Sequence, residues 1–119
     1  MQLERRAQRS SIPQVALTLA LAAAAKREGA QAAVLASEDG LLLAGTGEGF
    51  DHQALAAFAS LGNTVPARHR EGLLRVTHGA PLHAAPVRVK ATRLFVGTVG
   101  DRLGDVSALE AAAGRILGS

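Results

Sequence analysis

Glycine occupies every second position between Leu43 and Asp51, in the stretch LAGTGEGFD, just before a predicted helix. Glycine-rich loops at helix starts bind phosphate in many proteins, because backbone N–H groups point at the anion. A P-loop also needs a lysine directly after its second glycine, whereas the only lysines here are Lys26 and Lys90. A dinucleotide-binding fingerprint would need glycine where Phe50 stands. The spacing therefore indicates a flexible connection and no nucleotide site.

Other residues with catalytic or metal-binding chemistry do not fall into a motif. His69, His78 and His83 are close in sequence, but no carboxylate or further ligand has the spacing of a metal site. Asp51 and His52 are adjacent, yet no serine lies in a G-x-S-x-G motif. The absence of cysteine excludes disulfides, thiol catalysis and cysteine-ligated zinc. We predict surface histidines and no catalytic, cofactor-binding or metal-binding residue.

The composition is that of one small globular domain. The chain has 119 residues, of which 48% are hydrophobic and 19% charged. It carries 13 basic and 10 acidic residues, and three phenylalanines are its only large aromatic side chains. So small a charge excess with so few rings argues against a nucleic-acid partner. Arg75, Arg88, Lys90 and Arg93 are predicted to form a solvated basic surface, and a binding patch for an acidic partner is the alternative.

The N-terminal segment has two interpretations. Basic residues precede an apolar run that ends in alanines, as in a secretory signal, although this run is too short to span a membrane. The sequence Ser11 to Gln14 instead fits a capping box with proline in the first helical turn. We predict a basic arm over residues 1–11, one domain over residues 12–119, a first helix from Ile12 to Glu28 and a cytoplasmic location. Export is the alternative.

The first helix is apolar on two opposite sides. At helical spacing, one side carries Val15, Leu19 and Ala22, and the other carries Leu17, Leu21 and Ala24. A sheet can cover one of these sides. We expect the other side to be covered by a neighbouring helix or a second subunit. The alternative is that its alanines are exposed to solvent.

The remaining pattern predicts an α+β fold in the order α-β-β-α-β-β-β-α. Asp39-Gly40 between two apolar runs is a strong hairpin signal. The predicted elements are strands Ala32–Ala36 and Leu41–Ala44, a middle helix Asp51–Leu61, strands within residues 73–78, 81–90 and 92–100, and a last helix Val106–Leu117. Asp51 is expected to cap the middle helix, and residues 64–71 are expected to form a polar connection. The more uniformly apolar run at residues 92–100 predicts a more central strand. We expect a five-stranded antiparallel sheet with helices on both faces. The first and last helices share one face, and the middle helix partly covers the other.

This order of elements, with the hairpin AAVLASEDGLLLAG and the C-terminal segment RLFVGTVGDRLGDVSALEAAAGRIL, resembles the Roadblock domain family, which includes bacterial MglB-like proteins. The resemblance extends over about residues 12 to 117. It implies a profilin-like sheet and a homodimer formed by the third strand and the middle helix. It also implies a role as scaffold or regulator of a Ras-like small GTPase, without enzymatic activity.

Carried onto this sequence, the resemblance implies a dimer interface in which the edge strand Leu73–His78 pairs with its twin and the middle helices lie side by side. The implied interface residues are Leu73, Arg75, Val76, Thr77, Ala57, Ser60 and Leu61. Partner contacts are predicted at His52, Gln53, Ala56 and Ala59. A small-ligand sensor and a purely structural dimerisation subunit are the alternatives.

Overall fold

The computed structural model describes residues 2–61, 65–89, 92–100 and 107–117. The helices are α1 (Gln2–Glu28), α2 (His52–Ala59), α3 (Arg70–Val76) and α4 (Ser107–Leu117), with a short 3₁₀ helix (Ala67–His69) before α3. The strands are β1 (Ala32–Ser37), β2 (Leu42–Thr46), β3 (Leu82–Val89) and β4 (Thr92–Val99). Val106, the predicted start of the last helix, lies outside the described residues.

Four antiparallel strands form one sheet in the order β2-β1-β4-β3. The predicted hairpin between the first two strands is confirmed, with Gly40 at φ +84° in its turn. The predicted central position of the last strand is also confirmed, because β4 pairs with both β1 and β3. Its uniformly apolar sequence reflects this position, since both faces of a central strand are covered.

The two faces of the sheet carry separate hydrophobic cores. On one face, α1 and α4 enclose Leu17, Leu21, Leu35, Val96 and Leu109. On the other face, α2 packs its buried residues against β1 and β4. The predicted pairing of first and last helices on one face, opposite the middle helix, is therefore confirmed.

The predicted strand over residues 73–78 is wrong, because Arg70–Val76 forms helix α3 and the described sheet has four strands. Leucine, glutamate and arginine favour helix, and an alternation over only five residues also fits helical spacing. A Schellman motif ends α3, with the N–H of Gly79 donating to the carbonyl of Leu74 at 2.8 Å. His78 adopts the left-handed conformation of this motif, at φ +55°.

Helix α1 begins at Gln2, ten residues earlier than predicted. The start predicted at the capping box of residues 11–14 is wrong, because the helix continues through Pro13. Residues 2–9 contain mainly good helix formers, which favours this extension. Within the described part of the chain, none of the helices combines the length and apolar character of a membrane-spanning segment.

Candidate interaction surface

Helix α2 is fixed at its start by its own sequence. The Asp51 carboxylate accepts a hydrogen bond from the backbone N–H of Ala54 at 3.1 Å, which confirms the predicted N-cap. Phe50, just before the cap, packs against the core cluster that contains Leu55. These two contacts set the direction in which α2 crosses the sheet and therefore which side chains it exposes.

The glycines before α2 serve packing and turn geometry. Gly45 lies under the His52 ring so closely that a Cβ there would be 2.7 Å from the ring carbon Cγ. Gly47 adopts φ +108°, and its carbonyl accepts a hydrogen bond from Nε2 of His52 at 2.8 Å. Both glycines are thus required by the connection between β2 and α2.

Helix α3 lies beside α2 on the same face of the sheet. A Cβ on Gly72 would meet the tip of the Phe58 ring at 4.0 Å, so the two helices approach closely at this glycine. At the end of α3, the His78 ring stacks on Phe50 with centroids 4.3 Å apart and an interplanar angle of 18°. Val76 packs against the same core as α2. The two helices therefore form one continuous surface.

We call the outward side of these elements the α2–α3 surface. It consists of the exposed residues Gln53, Ala57, Leu61, Arg68, Arg70, Glu71, Leu74 and Arg75. Three arginines against Glu71 and the neighbouring exposed carboxylate of Asp51 leave a small excess of positive charge here, and Leu61 and Leu74 are the large aliphatic side chains exposed on this surface. Such a surface is suited to a partner that presents carboxylates around an apolar centre.

Two of the four residues predicted as partner contacts lie in the core of the structure. Ala56 and Ala59 are completely buried, because α2 turns them towards the sheet. A Cβ at Gly97 would be 2.7 Å from the Ala59 Cβ, so strand and helix pack in direct contact there. Gln53 is exposed and His52 is half-buried against the glycine loop. Because alanines lie on most sides of α2, the sequence pattern did not show which side of the helix faces the core.

The predicted dimer interface is divided by the fold. Strand pairing by residues 73–78 is wrong because the segment is helical, and Thr77 is completely buried. Leu73, Val76 and Ser60 are half-buried. Ala57, Leu61 and Arg75 are exposed on the α2–α3 surface. The exposed residues remain a candidate contact.

The predicted basic patch is also divided. Arg88 and Arg93 lie opposite each other on β3 and β4, but Arg75 belongs to α3, and Lys90 lies outside the described residues. Arg93 forms an ion pair with Glu38, with Nε and Oε1 3.4 Å apart, and lies 5.5 Å from the centre of the Phe95 ring. Sequence reasoning missed Arg68 and Arg70, which it placed in a polar connection. The signal available in the sequence was the pair of basic residues, Arg68 and Arg70, two positions apart beside a short helix.

Two further features bear on function. In the described residues, no three histidine or acidic side chains come close enough to hold a metal ion.

A groove of about 340 Å³ opens to solvent between α1 and β2. Its lining consists of Val15, Thr18, Leu19, Leu42, Leu43, Ala44 and Gly45.

Comparison with known proteins identifies the fold. No protein-family model matches the sequence, and no curated protein matches it. The gliding protein MglB from Thermus thermophilus is structurally similar, with a TM-score of 0.53 and 18% identity over 88% of this chain and 90% of that chain. Myxococcus xanthus MglB gives a TM-score of 0.47 and 14% identity over 87% and 86% of the two chains. The Thermus structure confirms the predicted resemblance to MglB-like proteins at the level of the fold.

Proposed function

We propose that this chain, which shares the fold of Thermus thermophilus MglB, is a non-enzymatic homodimeric module that regulates or scaffolds a Ras-like small GTPase. The fold match over most of both chains is the observation that carries the proposal. The class of partner comes from the resemblance to the Roadblock family. Since one fold serves many functions, the proposal must be tested on the surface that would bind the GTPase.

The partner, in this proposal, provides the nucleotide-binding pocket. The loop that contains Gly45, Gly47 and Gly49 supports this proposal, because it is occupied by His52. The His52 ring packs on Gly45, and its Nε2 donates a hydrogen bond to the carbonyl of Gly47. Glu48 is exposed in the same loop and would repel a phosphate. The chain therefore contributes a binding surface rather than a reaction centre.

We assign the GTPase contact to the α2–α3 surface. Arg68, Arg70 and Arg75 are all exposed there and would attract carboxylates on the partner. Exposed charges of this kind accelerate association and are screened by salt. Binding should consequently weaken as the ionic strength rises.

The test uses purified Ras-like small GTPases from the organism that encodes this chain, loaded with GDP or with a non-hydrolysable GTP analogue. We expect one of them to bind with a Kd that differs between the two nucleotide states. The double variant Arg70→Glu, Arg75→Glu should weaken binding at least tenfold. A matched charge reversal away from this surface, Lys26→Glu with Arg27→Glu, should leave it unchanged. GTP hydrolysis by the chain alone, or absence of binding in both states, would contradict the proposal.

A small-ligand sensor is the second candidate, and the groove between α1 and β2 is the observation that favours it. Its volume of about 340 Å³ lies within the usual range for small-molecule sites, roughly 300–1,000 Å³. The lining side chains are aliphatic except for Thr18. A ligand of this site would be apolar, and protection of the folded state by such ligands distinguishes this candidate from GTPase regulation.

A further inference from the structure

Helix α1 exposes a line of side chains along its outer side. Val15 and Leu19, one turn apart, are 55% and 66% exposed, although both are large and aliphatic. Lys26 is also exposed and lies two turns after Leu19 on the same side of the helix. Leu17 and Leu21, on the opposite side, are buried in the core. The described residues thus cover one apolar side of α1 and leave the other largely uncovered.

Strand β2 forms an open edge of the sheet beside this uncovered side. It is the outermost strand here, so its outer backbone groups have no strand partner in the described part of the chain. The groove of about 340 Å³ separates this edge from α1, and Val15, Leu19 and residues 42–45 contribute to its lining. Backbone groups at an open edge can pair with an added strand, and pockets beside the edge can take side chains of that strand.

The opposite edge of the same sheet is closed by two features. Pro86 in β3 has no N–H to offer a further strand. The N–H of Arg88, two residues further along β3, donates to Oε2 of Glu110 at 2.9 Å. Alternate residues of a strand direct their N–H groups to the same edge, so both features act on the outer edge of β3. The fold therefore protects one edge and leaves the other open.

The spacing of residues along α1 fits an extended segment. Val15 and Leu19 are four residues apart, which corresponds to about 6 Å along a helix axis. Side chains on one face of a strand are two residues apart, which corresponds to about 6.7 Å. Lys26 follows Leu19 by about 10 Å along the axis, the length of about three strand residues. A strand in the groove can therefore place successive side chains of one face against Val15 and Leu19.

We infer that the α1–β2 edge, meaning the outer side of β2 with Val15 and Leu19 of α1, binds an extended segment of a different protein. The segment is uncharged, has aliphatic residues at alternate positions and is followed by an acidic residue. Its backbone pairs with β2, its aliphatic side chains enter the groove, and its carboxylate lies near Lys26.

Charge selects this kind of segment. No residue in the groove lining is charged, so a charged side chain buried there would have no partner. Lys26, which is exposed beyond the groove, would attract a carboxylate at the end of the segment. The homodimer contact implied by the resemblance involves the middle helix, which packs on the other face of the sheet and leaves this edge free.

The inference goes beyond the GTPase proposal, because it gives the chain a second protein partner. The α2–α3 surface lies on the face of the sheet that α2 covers, whereas α1 and its groove lie on the opposite face. Two proteins can therefore be bound at the same time. Such a chain would connect a GTPase to the protein that carries the segment.

The test selects peptides that bind the full chain from a phage library of random peptides of about seven residues, slightly longer than the five residues of β2. We expect the selected peptides to alternate aliphatic residues and to carry an acidic residue at one end. The strongest binder is synthesised, and calorimetry gives its Kd. Failure to select any peptide, or selection of peptides without this pattern, would overturn the inference.

Variants of the chain locate the site of the synthetic peptide. Leu19→Asp should weaken binding at least about tenfold, because the new carboxylate would be desolvated against aliphatic side chains. Leu74→Asp makes the same change at an exposed leucine of the α2–α3 surface and should leave the Kd unchanged. Lys26→Gln should weaken binding by about threefold, as expected for an exposed ion pair. Equal binding by Leu19→Asp and the unmodified chain would overturn the inference.

Methylated peptides distinguish strand addition from simple filling of the groove. Methylation of the backbone nitrogens that face β2 removes alternate donors and should weaken binding at least about tenfold, whereas methylation of the other alternate set should be tolerated. Bound peptide should also slow hydrogen exchange of amides 42–46. Equal binding of the two methylated peptides would overturn strand addition and identify an apolar ligand site instead.

Two further measurements separate this inference from other outcomes. If amides 42–46 exchange more slowly as the concentration of the chain alone rises, the occupant is a second copy and the inference is overturned. GTPase affinity is measured with and without saturating peptide, and we expect the same Kd in both. Absence of GTPase binding throughout would contradict the proposed function alone, whereas competition between peptide and GTPase would overturn the separate site inferred here.

Discussion

The α2–α3 surface and the α1–β2 edge, meaning the outer side of β2 with Val15 and Leu19 of α1, differ most in charge. The first carries three exposed arginines and one exposed glutamate around Leu61 and Leu74. The second consists of aliphatic side chains and an open strand edge without charged lining. A charged surface can select another protein by complementary charge, whereas an uncharged groove is suited to an apolar ligand. The two regions are therefore suited to different partners.

The positions of these regions in the fold allow them to be altered separately. Helix α2 packs on one face of the sheet, and α1 packs with α4 on the other. Each face has its own core cluster, so a substitution at one surface leaves the packing of the other in place. Single substitutions can therefore change one region at a time.

Gly97→Val should damage the α2–α3 side most. A Cβ at Gly97 would be 2.7 Å from the Cβ of Ala59, so the new side chain must displace α2 from the sheet. We expect the free energy of unfolding to fall by about 3 kcal/mol, as in other overpacked cores. Urea denaturation measures this. Gly114→Ala is the matched control, because a Cβ there meets no atom within 4 Å, and it should not destabilise the chain. Equal stability of both variants would contradict the packing described.

Asp51→Ala should loosen the start of α2 without touching either core. The variant loses the carboxylate that accepts the N–H of Ala54, at a cost of about 1 kcal/mol in unfolding free energy. Asp51→Asn retains an acceptor at the same position and should stay close to the unmodified chain. The same denaturation experiment compares them. If the two variants lose equal stability, the carboxylate oxygen is not the cap.

His78 tests the end of α3. Both His78→Ala and His78→Gly lose the stacking on Phe50, but only glycine relieves the left-handed backbone at φ +55°. The glycine variant should therefore be more stable than the alanine variant by about 1 kcal/mol. Thermal denaturation of the pair measures the difference. Alanine being equal or better would exclude the left-handed conformation.

Gly72→Ala gives the smallest effect and tests whether residues 70–76 are helical. The new methyl group would meet Phe58 at 4.0 Å, an ordinary contact distance. Alanine inside a helix is favoured over glycine by about 0.5–1 kcal/mol, so this variant should be slightly stabilised. A shift of the urea midpoint to higher concentration would report it. Destabilisation would contradict the helical assignment of α3.

Local signals made much of the fold predictable. The Asp39-Gly40 turn, the Asp51 cap and the apolar run of β4 each depend on a few neighbouring residues, and the structure places all three as predicted. The Gly40 turn and the two strands around it also set the register of the first hairpin. Element types could thus be inferred wherever the chemistry is short-range.

The remaining errors arose where the sequence pattern determines neither the type of an element nor which side of a helix faces the core. Alternation of leucine and valine over residues 73–77 fits either period, and tertiary context selected a helix. In α2 small residues surround the helix, so the pattern did not reveal that Ala56 and Ala59 face the sheet. For α1, two apolar sides were recognised, but only packing decided that Val15 and Leu19 stay exposed. The candidate surfaces required the fold to locate them.

The most direct test of the assignment of the GTPase contact to the α2–α3 surface measures GTPase affinity for two variants side by side, with the nucleotide state that binds the unmodified chain. Arg70→Glu with Arg75→Glu alters the α2–α3 surface, and Leu19→Asp alters the α1–β2 edge. We predict that the arginine variant loses at least tenfold in affinity while its dimer is retained, and that Leu19→Asp keeps the affinity per copy. Unchanged binding by the arginine variant, together with loss of binding by Leu19→Asp, would contradict the proposal.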